Sequence, residues 1–168
     1  VRGTVRSVGA GCTCPANAVI RALLRHLVVE RNEAVILDTE AGVEHMGRGT
    51  VKHVNVMLAV TDANIKSLET AKHICQLAFD AGMKETFLVG NKIANEIHEK
   101  TVNDYASQNG LSVLHFIPLD QTVPEAEMKG LTPLRNKESV ALRSTATLYA
   151  KLLAMKELPT ETDAVTET

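Results

Sequence analysis

Tryptophan is absent from the 168 residues, and aromatic residues make up only 3%. That is too little for a surface that stacks nucleic-acid bases or sugar rings. Neither sign of charge dominates either: the formal net charge is −2, which gives no pull toward polyanions. No apolar run approaches the ~20 residues that cross a bilayer. The opening VRGTVRSVGAG lacks the apolar stretch of a secretory leader. Three cysteines with no disulfide framework fit a reducing compartment. Together these absences predict a cytoplasmic protein with neither a nucleic acid nor a membrane as partner. The first residue is Val and not Met, so a fragment, a processed product or a trimmed chain is expected.

What is present is a globular composition. Apolar residues account for 45% of the chain, and its length allows one domain with a real core. Short β-branched runs alternate with longer amphipathic stretches. Val5 to Val8 reads as a strand, and Pro15 suits the first turn of a helix over Ala16 to Glu30. Ala34 to Leu37 is a continuous apolar run ending in Asp38, the pattern of a strand buried on both faces. Val54 to Val60 is a second such run. Asp62 can cap a helix with Ile65, Leu68, Ala71, Cys75 and Ala78 on one face, closed by Gly82. Thr86 to Val89 reads as a strand, with Asn91-Lys92 after it and a helix ending near Gly110. Leu111 to Ile117 reads as the next strand, followed by the loop PLDQTVPEAEMKGLTP with one helical turn. A last helix carries Val140, Ser144, Leu148 and Leu152. Residues 1–158 are expected to form one α/β domain with a mostly parallel sheet flanked by helices, and 159–168 a disordered polar tail.

Ligands of such sheets bind at the carboxyl ends of the strands. Cys12, Asp38, Asn91 and Asp120 all follow predicted strands, so they are expected along one edge. Cys12 and Cys14, in GCTCPANAV, are badly spaced for an internal disulfide but can share a soft metal ion. One chain supplies two thiolates where a tetrahedral site takes four, which points to a metal held between two copies; two small half-buried residues at a helix start are the plain alternative. In VILDTEAGVEHMGRGT, an Asp that closes a buried apolar strand is costly without a partner. A hydrated Mg²⁺ is the partner such an Asp finds in nucleotide hydrolases. Gly42 lets a backbone N–H come close to a phosphate. Capping of the following turn is the structural reading of Asp38, as a turn is for Asn91 and for Asp120. Cys75 reads as core.

Four segments resemble one family. DTEAGVEHMGRGT is similar to the second switch of the ATPases that mature carbon monoxide dehydrogenase, the CooC type of the MinD-like and nitrogenase-iron-protein-like dimeric P-loop group. GCTCPANAV resembles its Cys-x-Cys motif, VGNKI its adenine-contacting Asn-Lys, and IPLD the loop that closes over the base. The resemblance covers about residues 7 to 135. It implies ATP and Mg²⁺ as ligands: Asp38 at the Mg²⁺ hydration shell, Gly42 sensing the γ-phosphate, Asn91 bonding adenine, Lys92 packed beside base or ribose, and Pro118 and Asp120 lining the base pocket. It also implies a homodimer, with Cys12 and Cys14 of both copies holding Ni²⁺ or Zn²⁺, and apo carbon monoxide dehydrogenase as the partner served by nickel insertion.

The chain departs from that family at one place. No G-x-x-x-x-G-K-[ST] phosphate loop occurs anywhere in it, and the first switch is missing. An N-terminally truncated member is therefore expected, an ATPase when whole, whose present 168 residues do not hydrolyse ATP. Two other functions stay open: a non-enzymatic metal-binding scaffold, and an ATP-dependent reductase like the nitrogenase iron protein. The reductase needs a second cysteine near the switch, and none lies between Cys14 and Cys75.

Overall fold

A computed structural model describes residues 34–38, 54–83 and 85–156. The expected first strand and first helix, the Cys12/Cys14 pair, Gly42 and the polar tail lie outside the described residues. The chain divides into two compact units, residues 1–57 with 77–85, and residues 58–76 with 86–168.

In the first unit, Ala78 and Met83 are buried, with Val54, Met57 and Ala81 packed on them. Residues 34–38 carry no regular structure, and Ile36 is 86% exposed. This corrects the expectation of a strand buried on both faces. A strand is a strand only through its ladder, and among the described residues nothing pairs with this run.

The second unit holds most of an α/β layer arrangement. Strands β1 (Met57–Asp62), β2 (Thr86–Ile93) and β3 (Val113–Pro118) form a parallel sheet in the order β1-β2-β3. Helices α1 (Ile65–Asp80), α2 (Glu96–Gln108), α3 (Thr122–Met128) and α4 (Val140–Lys156) connect and follow the strands. Small residues set a close approach between layers: Ala59, Ala71, Cys75, Leu88 and Ala106 form one buried cluster. Leu68, Ile93 and Val102 form a second, with Phe116 and Tyr105 against it. The α1 face is Leu68, Ala71, Cys75 and Ala78, as its spacing predicts, but Ile65 is exposed. Burial raises the Cys75 thiol pKa, in keeping with a core thiol.

The ends of these helices are written locally. Gly82 takes φ 94°, Gly82 N–H donates to Phe79 O, and Met83 N–H donates to Ala78 O. That is a Schellman stop, sealed by the Ala78–Met83 contact. Gly110, Ser107, Leu111 and Ala106 repeat it at the end of α2. At the start of α1 the capping oxygen belongs to Asn64, whose Oδ1 accepts from Ser67 N–H at 3.0 Å; the expected cap, Asp62, is instead the last residue of β1. Asp62 N–H and the Thr61 hydroxyl both donate to Ser67 Oγ, each at 3.0 Å, which fixes the turn out of β1.

Strands β2 and β3 do not run in one register. Leu88–Val113 and Ile93–Pro118 are pairs 25 apart in number, whereas Val89–His115 and Gly90–Phe116 are 26 apart. One extra residue bulges from β3 near Leu114, and one bulges from β2 between Gly90 and Ile93. The middle stretch is thereby offset by a single residue. There Gly90 meets Phe116 so closely that a Cβ on Gly90 would lie 2.5 Å from Phe116 Cδ1.

Helix α4 is seated on β3 by polar groups. Ser144 Oγ donates to Phe116 O at 2.9 Å, and Lys151 Nζ donates to Leu114 O at 2.9 Å. Lys151 Nζ also reaches His115 Nδ1 at 3.3 Å. An ammonium has only donors, so the His115 proton sits on Nε2, which donates to Ser144 O at 2.9 Å. The buried face of α4 centres on Leu148; Val140, expected on it, is exposed.

Candidate nucleotide-base site at the carboxyl end of the sheet

Asn91 and Lys92 do not follow β2; they are part of it, inside its bulge. The strand continues to Ile93, which is buried. Lys92 takes φ 52°, a left-handed conformation that no other non-glycine residue adopts among the described residues. This conformation costs a non-glycine residue about 1–2 kcal/mol. Strain of this kind gathers at functional sites. The bulge turns two polar side chains out at the end of a strand that is otherwise apolar. Asn91 is half-buried, and its amide takes no partner among the described residues. An amide offers one donor and one acceptor group together, the pair that an adenine edge requires. Lys92 Nζ lies 3.9 Å from Asp62 Oδ2 at the end of β1, both side chains well exposed. A pair so solvated adds little stability, so it orients the lysine more than it holds the fold.

The loop after β3 stands beside them. Ile93 pairs with Pro118, and Leu119 N–H donates to Ile93 O at 2.9 Å. Asp120 Oδ1 accepts from Thr122 N–H at 2.9 Å and Thr122 Oγ1 at 2.6 Å. Its Oδ2 accepts from Ser139 Oγ at 2.5 Å and Ala141 N–H at 3.2 Å. The Ser139 hydroxyl first, then Thr122 and the Ala141 amide, hold the Asp120 carboxyl well below the usual carboxylate range. Asn91, Lys92, Pro118 and Asp120 thus converge on one sheet end. Asp38 is described as an exposed residue of the other unit. Cys12, Cys14 and Gly42 fall outside the described residues. Among the described residues no group of three His, Cys, Asp or Glu is placed to hold a metal ion, and no helix is long and apolar enough to cross a membrane.

Sequence reasoning missed Asp62 as the lysine's partner and Ser139 as a partner of Asp120. Ser139 lies 19 positions from Asp120, and no local pattern joins them. The Thr122 contact is the turn that the sequence offered for Asp120, a local Asx turn.

No family model matches the chain. Curated sequences do. Over 130 residues it is 40% identical to the carbon monoxide dehydrogenase accessory protein CooC of Rhodospirillum rubrum, a match covering 77% of this chain and 49% of that protein. The chain is similar in sequence to the CooC-type, MinD-like group of ATP-binding proteins. A second relative is an uncharacterized ATP-binding protein of Methanocaldococcus jannaschii, 41% identical over 156 residues, covering 93% of this chain and 60% of that one. The chain therefore spans about half the length of the curated relatives it matches. Solved structures agree on the fold. The cell division ATPase MinD of Pyrococcus furiosus superposes with a TM-score of 0.55 at 19% identity, over 70% of this chain and 50% of that one. MinD of Aquifex aeolicus gives 0.52 at 16% identity, over 71% and 51%. The sheet of this chain thus has the MinD-like fold of P-loop nucleotide-binding proteins.

Proposed function

We propose that the chain is part of an ATP-dependent maturation factor that inserts nickel into carbon monoxide dehydrogenase. The observation that carries this reading is the 40% identity to the CooC accessory protein, joined to the convergence of Asn91, Lys92 and Pro118 at one sheet end. In this reading Asn91 pairs with adenine through its free amide. The Lys92 stem lies along the base or ribose, and Asp62 steadies its ammonium. Pro118 and the loop after it wall the pocket. Asp38 takes the Mg²⁺ hydration shell, and Gly42 the γ-phosphate. Magnesium, when bound, neutralises phosphate charge. Two copies come together on ATP, and Cys12 and Cys14 of each complete a four-thiolate site for Ni²⁺ or Zn²⁺ as cargo.

A metal titration tests the dimer-site claim. Ni²⁺ or Zn²⁺ is expected to bind at about one ion per two chains, the stoichiometry of a four-thiolate site shared by two pairs. Cys14→Ser should abolish that binding. One ion per single chain, untouched by the substitution, refutes the shared site.

A further inference from the structure

Ser139 is 1% exposed, the most buried residue in a stretch between α3 and α4 that is otherwise open to solvent. Its hydroxyl makes two bonds. It accepts from Leu142 N–H at 3.2 Å, capping α4, and donates to Asp120 Oδ2 at 2.5 Å. The carboxylate it meets is full. Two oxygens offer about four lone-pair sites, and Thr122 N–H, Thr122 Oγ1, Ser139 Oγ and Ala141 N–H take four. No ionised side chain is among those donors; Glu138, next to Ser139, is paired with Arg143 at 3.5 Å. Asp120 therefore keeps no acceptor for the amino group of a base. The loop it belongs to is pinned at two points by groups that a base does not touch: Leu119 N–H on Ile93 O, and Asp120 on the start of α4.

We infer that Ser139 is a positioning residue for base binding: with Asp120 it latches the Pro118–Thr122 loop to the N-terminus of α4, and Asp120 acts through that latch and not by contact with the base. The inference rests on the nucleotide reading above. It assigns recognition in this loop to the backbone and to Pro118. It also makes α4 move with the base loop as one body, since Ser144 and Lys151 tie the same helix to β3.

The test uses the 168-residue chain, adenosine as probe, and the variants Ser139→Ala, Ser139→Thr, Asp120→Ala and the double alanine. Two readouts need no nucleotide: the carboxyl titration of Asp120 and amide exchange at Thr122 and Ala141, both by NMR. In Ser139→Ala, Asp120 should titrate closer to an ordinary carboxylate, and exchange at Thr122 should quicken about tenfold. Adenosine affinity should fall about tenfold, equally in Ser139→Ala, Asp120→Ala and the double variant, because one latch is lost in each. Ser139→Thr, which keeps the hydroxyl, should restore all three readouts. A Ser139→Ala chain with unchanged titration and exchange overturns the latch. An Asp120→Ala loss that far exceeds that of Ser139→Ala and adds to it means direct base contact, and overturns the assignment. Failure of the unaltered chain to bind adenosine overturns the nucleotide reading together with the base-binding role of Ser139, while titration and exchange still decide the latch.

Discussion

Substitution of Gly90 by alanine presses on the point where fold and site meet. Gly90 is fully enclosed in β2, and its φ is ordinary, so the demand for glycine is steric. The added Cβ would lie 2.5 and 2.9 Å from two carbons of the Phe116 ring and 3.2 Å from Ile93 Cδ1. Comfortable carbon–carbon separation begins at about 3.5 Å, so the ring has to retreat by about 1 Å. It cannot do so alone, for Phe116 packs on the cluster of Leu68, Ile93 and Val102. Overpacking of this kind costs about 1–3 kcal/mol; the upper half of that range is expected, because two neighbours must move together. With no tryptophan to report, urea unfolding followed by circular dichroism at 222 nm is the suitable assay. A lower midpoint with unchanged slope is expected. Phe116→Leu added to Gly90→Ala should return about half of the loss by removing the ring edge. If Gly90→Ala unfolds within 0.5 kcal/mol of the parent, or Phe116→Leu makes matters worse, the steric reasoning is wrong.

Lys92→Gly relieves a left-handed residue whose strain is about 1–2 kcal/mol, offset by about 0.5–1 kcal/mol of added freedom in the unfolded chain. It should leave stability level or up to about 1.5 kcal/mol higher, yet weaken adenosine binding; a clear loss of stability by the same urea assay contradicts it. Acid should act through Asp120. Its folded carboxyl titrates below the ordinary value near 3.9, so the unfolded chain takes up the proton first. The latch contributes fully above about pH 4 and is lost as the pH falls further. Asp120→Asn should therefore show a shallower loss of stability than the parent between about pH 4 and 2, read from urea midpoints across that range; parallel curves refute the linkage.

The fold was legible wherever a signal was local and repeated. The Leu68–Ala78 face and the Gly82 and Gly110 stops depend on residues four or five positions apart, and the structure keeps them. Legibility failed where a distant partner decides. A continuous apolar run cannot tell that Ala34–Leu37 has no ladder neighbour among the described residues. Nor can it show that Asn91 and Lys92, which read as a turn, belong to a strand carrying a bulge. Ile65 and Val140 head their helices and satisfy the spacing, yet each lies before the point where its helix meets the sheet, and each is exposed. Asn91 and Asp120 could be placed at one sheet end because they follow predicted strands, whereas Lys92 and Pro118 entered through the family resemblance. Their supports could not be read: Asp62 meets Lys92 across two strands, and Ser139 meets Asp120 across a helix and a turn.

The paired bulges of β2 and β3 bear on how such a sequence can change. Each takes up one extra residue on one strand, so the pairs on either side of it stay in place. Loss of the one extra residue near Leu114 should therefore leave Ile93 paired with Pro118, whereas a deletion within the paired stretch His115–Phe116 pulls Pro118 away from Ile93 and carries Asp120 off the start of α4. Loss of one residue between Gly90 and Ile93 is absorbed by the β2 bulge in the same way. Length variation in relatives of this chain should then gather at these two places, and single losses between them should be rare.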